Sequence, residues 1–222
     1  MLTRTNFLDR EINELKERLL LMVELSYQML QLSSESIEKD STFDKESILQ
    51  AEKDMNAINK MIQKKVLELL SYEQLAIKQV KGLFLFSKMA KDLERVGDHV
   101  INIIVVAPID SVPHLVIQSF SQFMKNIGQM LESLKEGIKE EDCSRLKAIY
   151  EKEDEVVNRL NKKSFKRITD SLRLEQLPAD SGGKLILMSR FFERMADHVS
   201  NAARDYRQYL LDCHSSISRN SP

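Results

Sequence analysis

Two stretches of the chain place acids, a histidine and an amide in the same order: LERVGDHVIN at 93–102 and FERMADHVSN at 192–201. In the first, Glu94, Asp98 and Asn102 stand four residues apart; in the second, Glu193, Asp197 and Asn201 repeat the spacing. On a helix, residues so spaced form a nearly straight row, each Cβ about 5–6 Å from the next. Like charges in such a row repel by a few tenths of a kcal/mol (~0.2–0.5) unless something positive neutralises them. Oxygens converging from two neighbouring helices are the donor set a hard or borderline cation takes, as in carboxylate-bridged metals of helical bundles. A second helix could offer Glu52 with Asn56 to the first row, and Asp154 with Asn158 to the second. The competing reading is a solvated acidic face held by nearby cations, and Lys91, Arg95 and Arg194 stand within a turn of the rows. Recurrence of the pattern at matched places is what speaks for the ion.

Other chemistries find little support. His99 and His198 directly follow the aspartates, so they point about 100° away around the helix, toward the flank of the apolar seam. Packing or hydrogen bonding suits them better than metal ligation, and His114 and His214 look incidental. The chain has no H-E-x-x-H, C-x-x-C or E-x-x-H motif, which argues against a zinc hydrolase and a conventional di-iron oxidase. The GG at 182–183 precedes no G-K-[ST], so no glycine-rich phosphate loop is present. No nucleophile–base pair is offered, and Cys143 and Cys213 form no disulfide framework. The ten methionines sit among apolar residues and read as core filler.

The elements that must carry the rows are helices. Six glycines, four prolines and no tryptophan among 222 residues, with 42% apolar and 30% charged, describe an all-α soluble chain. A first helix over 8–33 carries Ile12, Leu15, Leu19, Met22, Leu25, Met29 and Leu32 at helical spacing. The polar SESIEKDSTFDKES at 34–47 ends it, and a second helix runs from Ile48 to Leu70. SYEQLAIKQVKG leads into a third, whose seam is Phe86, Met89, Leu93, Val96, Val100 and Ile103. Glu94, Asp98 and Asn102 fall opposite that seam and are expected to face outward. APIDSVPH at 107–114 stops the third helix with two prolines. A fourth helix follows through Val116, Phe120, Phe123, Ile127, Met130 and Leu134, and a fifth from about Asp142 to Leu172. LPADSGGK at 177–184 is expected as a loop before a sixth helix over Leu185–Asp212.

The halves repeat. A shift of 99 carries Glu94, Asp98, Val100 and Asn102 onto Glu193, Asp197, Val199 and Asn201. A shift of 102 carries EKDMNAI at 52–58 onto DEVVNRL at 154–160, against a rival shift of 99 that pairs EK at 52 with EK at 151. The fold expected is therefore two tandem antiparallel three-helix bundles related by an internal repeat, over residues 1–107 and 114–222. A net charge of −1 gives no broad electrostatic reason to bind nucleic acid or an anionic membrane. With no signal-peptide pattern and no apolar run near the roughly 20 residues that span a bilayer, a cytoplasmic location is expected.

These motifs carry a resemblance. LERVGDHVINI resembles the L-E-R-I-G-D-H-x-x-N-I stretch of the PhoU family, the phosphate-specific transport accessory proteins, and FERMADHVSNAA is similar to its second copy. EKDMNAINKMI and EDEVVNRL resemble that family's D-x-x-I-N/D-x-L signature. The chain departs from the family at SYEQLAIKQVK, which keeps neither the proline nor the D-L-R of the usual Q-P-x-A-x-D-L-R segment, and Glu52, Asn56 and Asn158 stand where aspartate is frequent. The resemblance implies paired three-helix bundles and a non-enzymatic regulator of phosphate uptake and phosphate-starvation signalling. It implies an adaptor between a phosphate ABC transporter's ATPase subunit and a membrane sensor histidine kinase, cytoplasmic, meeting the membrane only through partners, and commonly a homodimer. It also implies metal ions of Fe, Zn, Mn or Mg type, with Glu94 and Asp98 opposite Glu52, and Glu193 and Asp197 opposite Asp154, as ligand candidates. A metal-storage or metal-dependent enzymatic bundle, or a scaffold whose acidic rows bind nothing, are the alternatives.

Overall fold

A computed structural model of the chain describes residues 4–38, 44–72, 75–107 and 114–217. The helices are α1 (Arg4–Glu38), α2 (Lys45–Leu70), α3 (Ile77–Val106), α4 (His114–Lys139), α5 (Cys143–Ala148), α6 (Asp154–Arg173) and α7 (Ala179–Ile217). A π-helical turn, Ile149–Glu153, joins α5 to α6. The expected fifth helix is thus one rod with an extra residue wound into it. Its start is sealed by Asp142, whose Oδ1 accepts from the backbone N–H groups of Ser144 and Arg145 at 2.8 and 3.0 Å. Asp44 caps α2 in the same way, accepting from Ser47 at 3.1 Å. Most of the 107–114 linker lies outside the described residues, though α3 does stop at Val106.

Two expectations need correction. Residues 34–47 are not all loop, since α1 continues to Glu38 and α2 opens at Lys45. The stretch 177–184 is mostly helix, because α7 opens at Ala179 and runs through both glycines. Gly182 is there for closeness: a Cβ on it would meet Leu172 Cδ2 at 2.7 Å. The turn between α6 and α7 is made instead by residues 174–178, with Glu175 at φ 56°.

Neighbours in each up-down-up bundle run antiparallel, as do the pairs that join the two bundles, while α1–α3 and α4–α7 pack parallel. Lys16–Glu141 and Glu24–Lys135 relate α1 to α4. Lys81–Asp212 and Lys88–Asp205 relate α3 to α7. Gln63–Ser87 relates α2 to α3, and Asp154–Ser200 relates α6 to α7. Helices α1, α3, α7 and α4 touch in that circular order, and among the described residues the diagonal pairs α1–α7 and α3–α4 do not approach. α2 lies outside against α1 and α3, and α6 lies outside against α4 and α7. The two three-helix bundles therefore share one core, in which Leu15, Met22, Phe86, Leu93, Phe123, Leu134, Phe192 and Tyr206 are fully buried. Each such side chain contributes about 1.5–3 kcal/mol relative to exposure.

Candidate functional site

On α3, the buried apolar seam fixes the rotation of the helix and turns the acidic row away from it. Glu94 accepts from Lys91 one turn earlier, and its side chain is only 16% exposed. Asp98 stands 3.6 Å from Arg95 and is 35% exposed. Exposure rises along the row, from Glu94 through Asp98 to an exposed Asn102, so the row lies at the surface with its first acid largely covered. Beside it α2 packs its side chains onto the α3 backbone, since a Cβ on Gly97 would meet Met55 Sδ at 2.9 Å. Burial raises the Asp98 carboxyl above its ordinary range; Glu94 adds to this, while Arg95, Lys91 and His198 work against it. Glu52 on α2 accepts from Asn56 Nδ2.

The second row is built alike but is better connected across helices. Glu193 accepts from Arg190, and Asp197 stands 3.9 Å from Arg194. Asp154 accepts from Ser200 Oγ at 3.2 Å and from Asn158 Nδ2 at 3.0 Å, which ties the start of α6 to the α7 row. Asp197 is raised by burial first, then by the charges of Asp154 and Glu193, against Arg194 and His198. The carboxylate that most disturbs Asp197 thus comes from the neighbouring helix, whereas for Asp98 it is Glu94 on the same helix. Ile101 stands where Ser200 stands in the second half, and it has no hydroxyl to offer Glu52.

Asp197 is therefore within electrostatic reach of Asp154 and Glu193, as Asp98 is of Glu94. The second set has one acid beyond its partners Arg190 and Arg194, whereas Lys91 and Arg95 match Glu94 and Asp98. Hard oxygen donors under repulsion fit a divalent or ferric ion chemically. As the side chains stand, Lys91, Arg95, Arg190 and Arg194 hold the rows, and among the described residues no three acids, histidines or cysteines close around a common point. Ser200 and Arg190 are the members that sequence reasoning missed. Arg190 was findable, being the repeat partner of Lys91; Ser200 announced itself only as a hydroxyl in a buried stripe.

Where α3 crosses α7 the two motif histidines meet, their rings stacked 5.5 Å apart. His198 Nδ1–H donates to Asp92 Oδ1 at 2.8 Å, and His99 stacks on Phe191 at 5.8 Å. These two contacts are images of each other under the repeat, with Asp92 in one half where the other has Phe191. Burial, then His198 and two arginines, holds His99 down at about 4, so it is neutral near pH 7.

Comparisons with known proteins agree with this architecture. The family model described as the PhoU domain matches twice, at residues 19–106 and 120–206. The chain is 24% identical over 200 residues, 89% of its length and 86% of the relative's, to the phosphate-specific transport system accessory protein PhoU homolog 1 of Thermotoga maritima. It is 24% identical over 207 residues, 90% of its length and 92% of the relative's, to the corresponding PhoU homolog of Clostridium acetobutylicum. Its fold is similar to the crystal structure of PhoU from Pseudomonas aeruginosa, with a TM-score of 0.83 and 18% identity, covering 91% of this chain and 98% of that one. The phosphate transport system regulatory protein PhoU from Streptococcus pneumoniae superposes with a TM-score of 0.78 and 20% identity, covering 92% and 96%.

Proposed function

Since this chain belongs to the PhoU family, we propose that it is a non-enzymatic regulator of phosphate transport that links a phosphate ABC transporter's ATPase subunit to a membrane sensor histidine kinase. The observation that carries this reading is the double match of the family model, one copy on each half, alongside relatives named as phosphate transport accessory proteins. A regulator of this kind works at the cytoplasmic side of the membrane, and no helix among the described residues is long and apolar enough to cross one. Long antiparallel helices with charged outer faces suit a protein that acts by docking, and the duplicated bundles offer two related surfaces. A clean deletion should derepress phosphate-responsive genes in phosphate-rich medium. Tagged protein purified from those cells should bring down the transporter ATPase and the kinase. Normal repression in the deletion would refute the reading. Sedimentation of the purified chain should give a homodimer.

The same reading gives the acidic rows a role. Glu94 and Asp98 with Glu52, and Glu193 and Asp197 with Asp154, would hold Fe, Zn, Mn or Mg type ions, which supply charge neutralisation and a brace between helices. Residues 1–107 and 114–222 would each carry one such site. Protein purified without chelator should contain stoichiometric metal by elemental analysis, and the Glu94→Ala, Glu193→Ala double variant should lose most of it. Equal metal in the variant would remove these residues from the role.

A further inference from the structure

The halves differ at one place the acidic rows do not use. Between α2 and α3, Gln63 Nε2 donates to the Ser87 carbonyl at 3.0 Å and to Asn59 Oδ1 at 3.1 Å, and Ser87 Oγ donates to Gln63 Oε1 at 2.5 Å. This chain of hydrogen bonds bridges α2 and α3 in the first half. The repeat carries Gln63 onto Phe165 and Ser87 onto Ile186, neither of which can make those bonds. A notch of about 360 Å³ opens there between α6 and α7, lined by Asn161, Lys162, Phe165, Ile186, Ser189 and Arg190. Phe165, in this lining, is 52% exposed.

The frame of this notch is cationic. From Val156 to Thr169, α6 carries Arg159, Lys162, Lys163, Lys166 and Arg167 and no acid, in a chain whose net charge is −1. Arg159 pairs with Glu155, and Arg167 donates to Ser119. Lys162, Lys163 and Lys166 are exposed and have no acidic partner among the described residues. Apolar floor and basic rim together select an occupant that is apolar at one point and acidic around it. A concave notch takes an inserted side chain, whereas a lipid surface is met by a protruding apolar face.

We propose that the α6–α7 notch is the docking site for an acidic segment of a partner protein, which seats one large apolar side chain against Phe165 and Ile186 and lays carboxylates on Lys162 and Lys166. This deepens the adaptor reading and rests on it only for whose segment it is. Arg190 lines the notch and also holds Glu193, so a docked carboxylate competes for that guanidinium and changes the charge on the second acidic row.

The test places the photo-cross-linker p-benzoylphenylalanine at position 165 of the full chain in its own cells, and at position 63, its repeat partner between α2 and α3, as the control. Irradiation in phosphate-rich medium should give a protein adduct at 165 that is absent at 63. The joined peptide should carry several acids around an apolar residue. Lys162→Glu with Lys166→Glu, its folding checked by circular dichroism, should cut that adduct at least tenfold. No protein adduct beyond the control, an adduct on lipid or on a second copy of this chain, or an adduct indifferent to charge reversal would overturn the proposal. Intact repression in Phe165→Gln with derepression in the deletion would sink the docking site and leave the adaptor reading standing. Normal repression in the deletion, with the acidic adduct present, would do the reverse.

Discussion

Asp197 and Asp98 are carboxyls held above their ordinary range, and the sign of that shift has a measurable consequence. A folded-state pKa above the unfolded one means the native protein binds more protons in that window. Its contribution to stability falls as pH rises through the carboxylate range and stays low above it. Asp197→Asn should therefore raise the melting temperature at pH 7, by a few tenths to about 1 kcal/mol of stability. The gain should vanish at acid pH, where both forms are uncharged; a variant less stable than the parent at pH 7 would mean that Arg194 outweighs the repulsion. His99 acts in the opposite direction. Its pKa is depressed from 6.5 to about 4, so stability is lost as pH falls from about 6.5 toward 4. His99→Phe, which would extend the stack on Phe191, should be near neutral at pH 7. At pH 5 it should be more stable than the parent by about 1 kcal/mol, after allowance for solvent screening of a partly exposed ring. Urea midpoints at the two pH values would decide it. The spacing of the rows was legible in the sequence because i, i+4 geometry is local. How far each acid is covered was not, since that depends on how neighbouring helices pack around it.

At the scale of the helix, Gly97 and Met55 divide between them a space that the second half divides otherwise. The repeat places Ala196 and Val157 there, both buried. Gly97→Ala alone must displace the Met55 sulfur, 2.9 Å from the new methyl. Met55→Val alone leaves a void, with a cost of about 1–3 kcal/mol. Together they should recover most of that loss and add up to about 1 kcal/mol of helix propensity. A double-mutant cycle by chemical denaturation should show coupling of at least about 0.5 kcal/mol, and additive effects would contradict the shared space. The same pair resolves the register of the repeat. A shift of 102 matches buried Met55 to buried Val157 and the Glu52–Asn56 pair to Asp154–Asn158. The apolar seams of α3 and α4 were readable because every third or fourth residue is buried. The π-helical turn before Asp154 was not, because one extra residue barely disturbs that rhythm. The glycines at 182–183 misled for a related reason: glycine marks turns, but Gly182 here lets Leu172 sit against the α7 backbone.

For the molecule as a whole, one core runs through both halves, so unfolding should be a single cooperative transition. Far-ultraviolet circular dichroism and tyrosine fluorescence should give coincident melting curves. Two separated steps would show that the halves are energetically independent. Duplication was plain in the sequence, but the way the copies join was not, because the same outer stripes could have been left to solvent. The circular arrangement of α1, α3, α7 and α4 has its own mechanical meaning. The copies are fastened along two opposite edges, α1 with α4 and α3 with α7, so parting them like a hinged shell about either edge tears the other. Whatever this protein transmits between one face and another must travel as whole rods sliding or tilting past one another, or as surface cations changing hands.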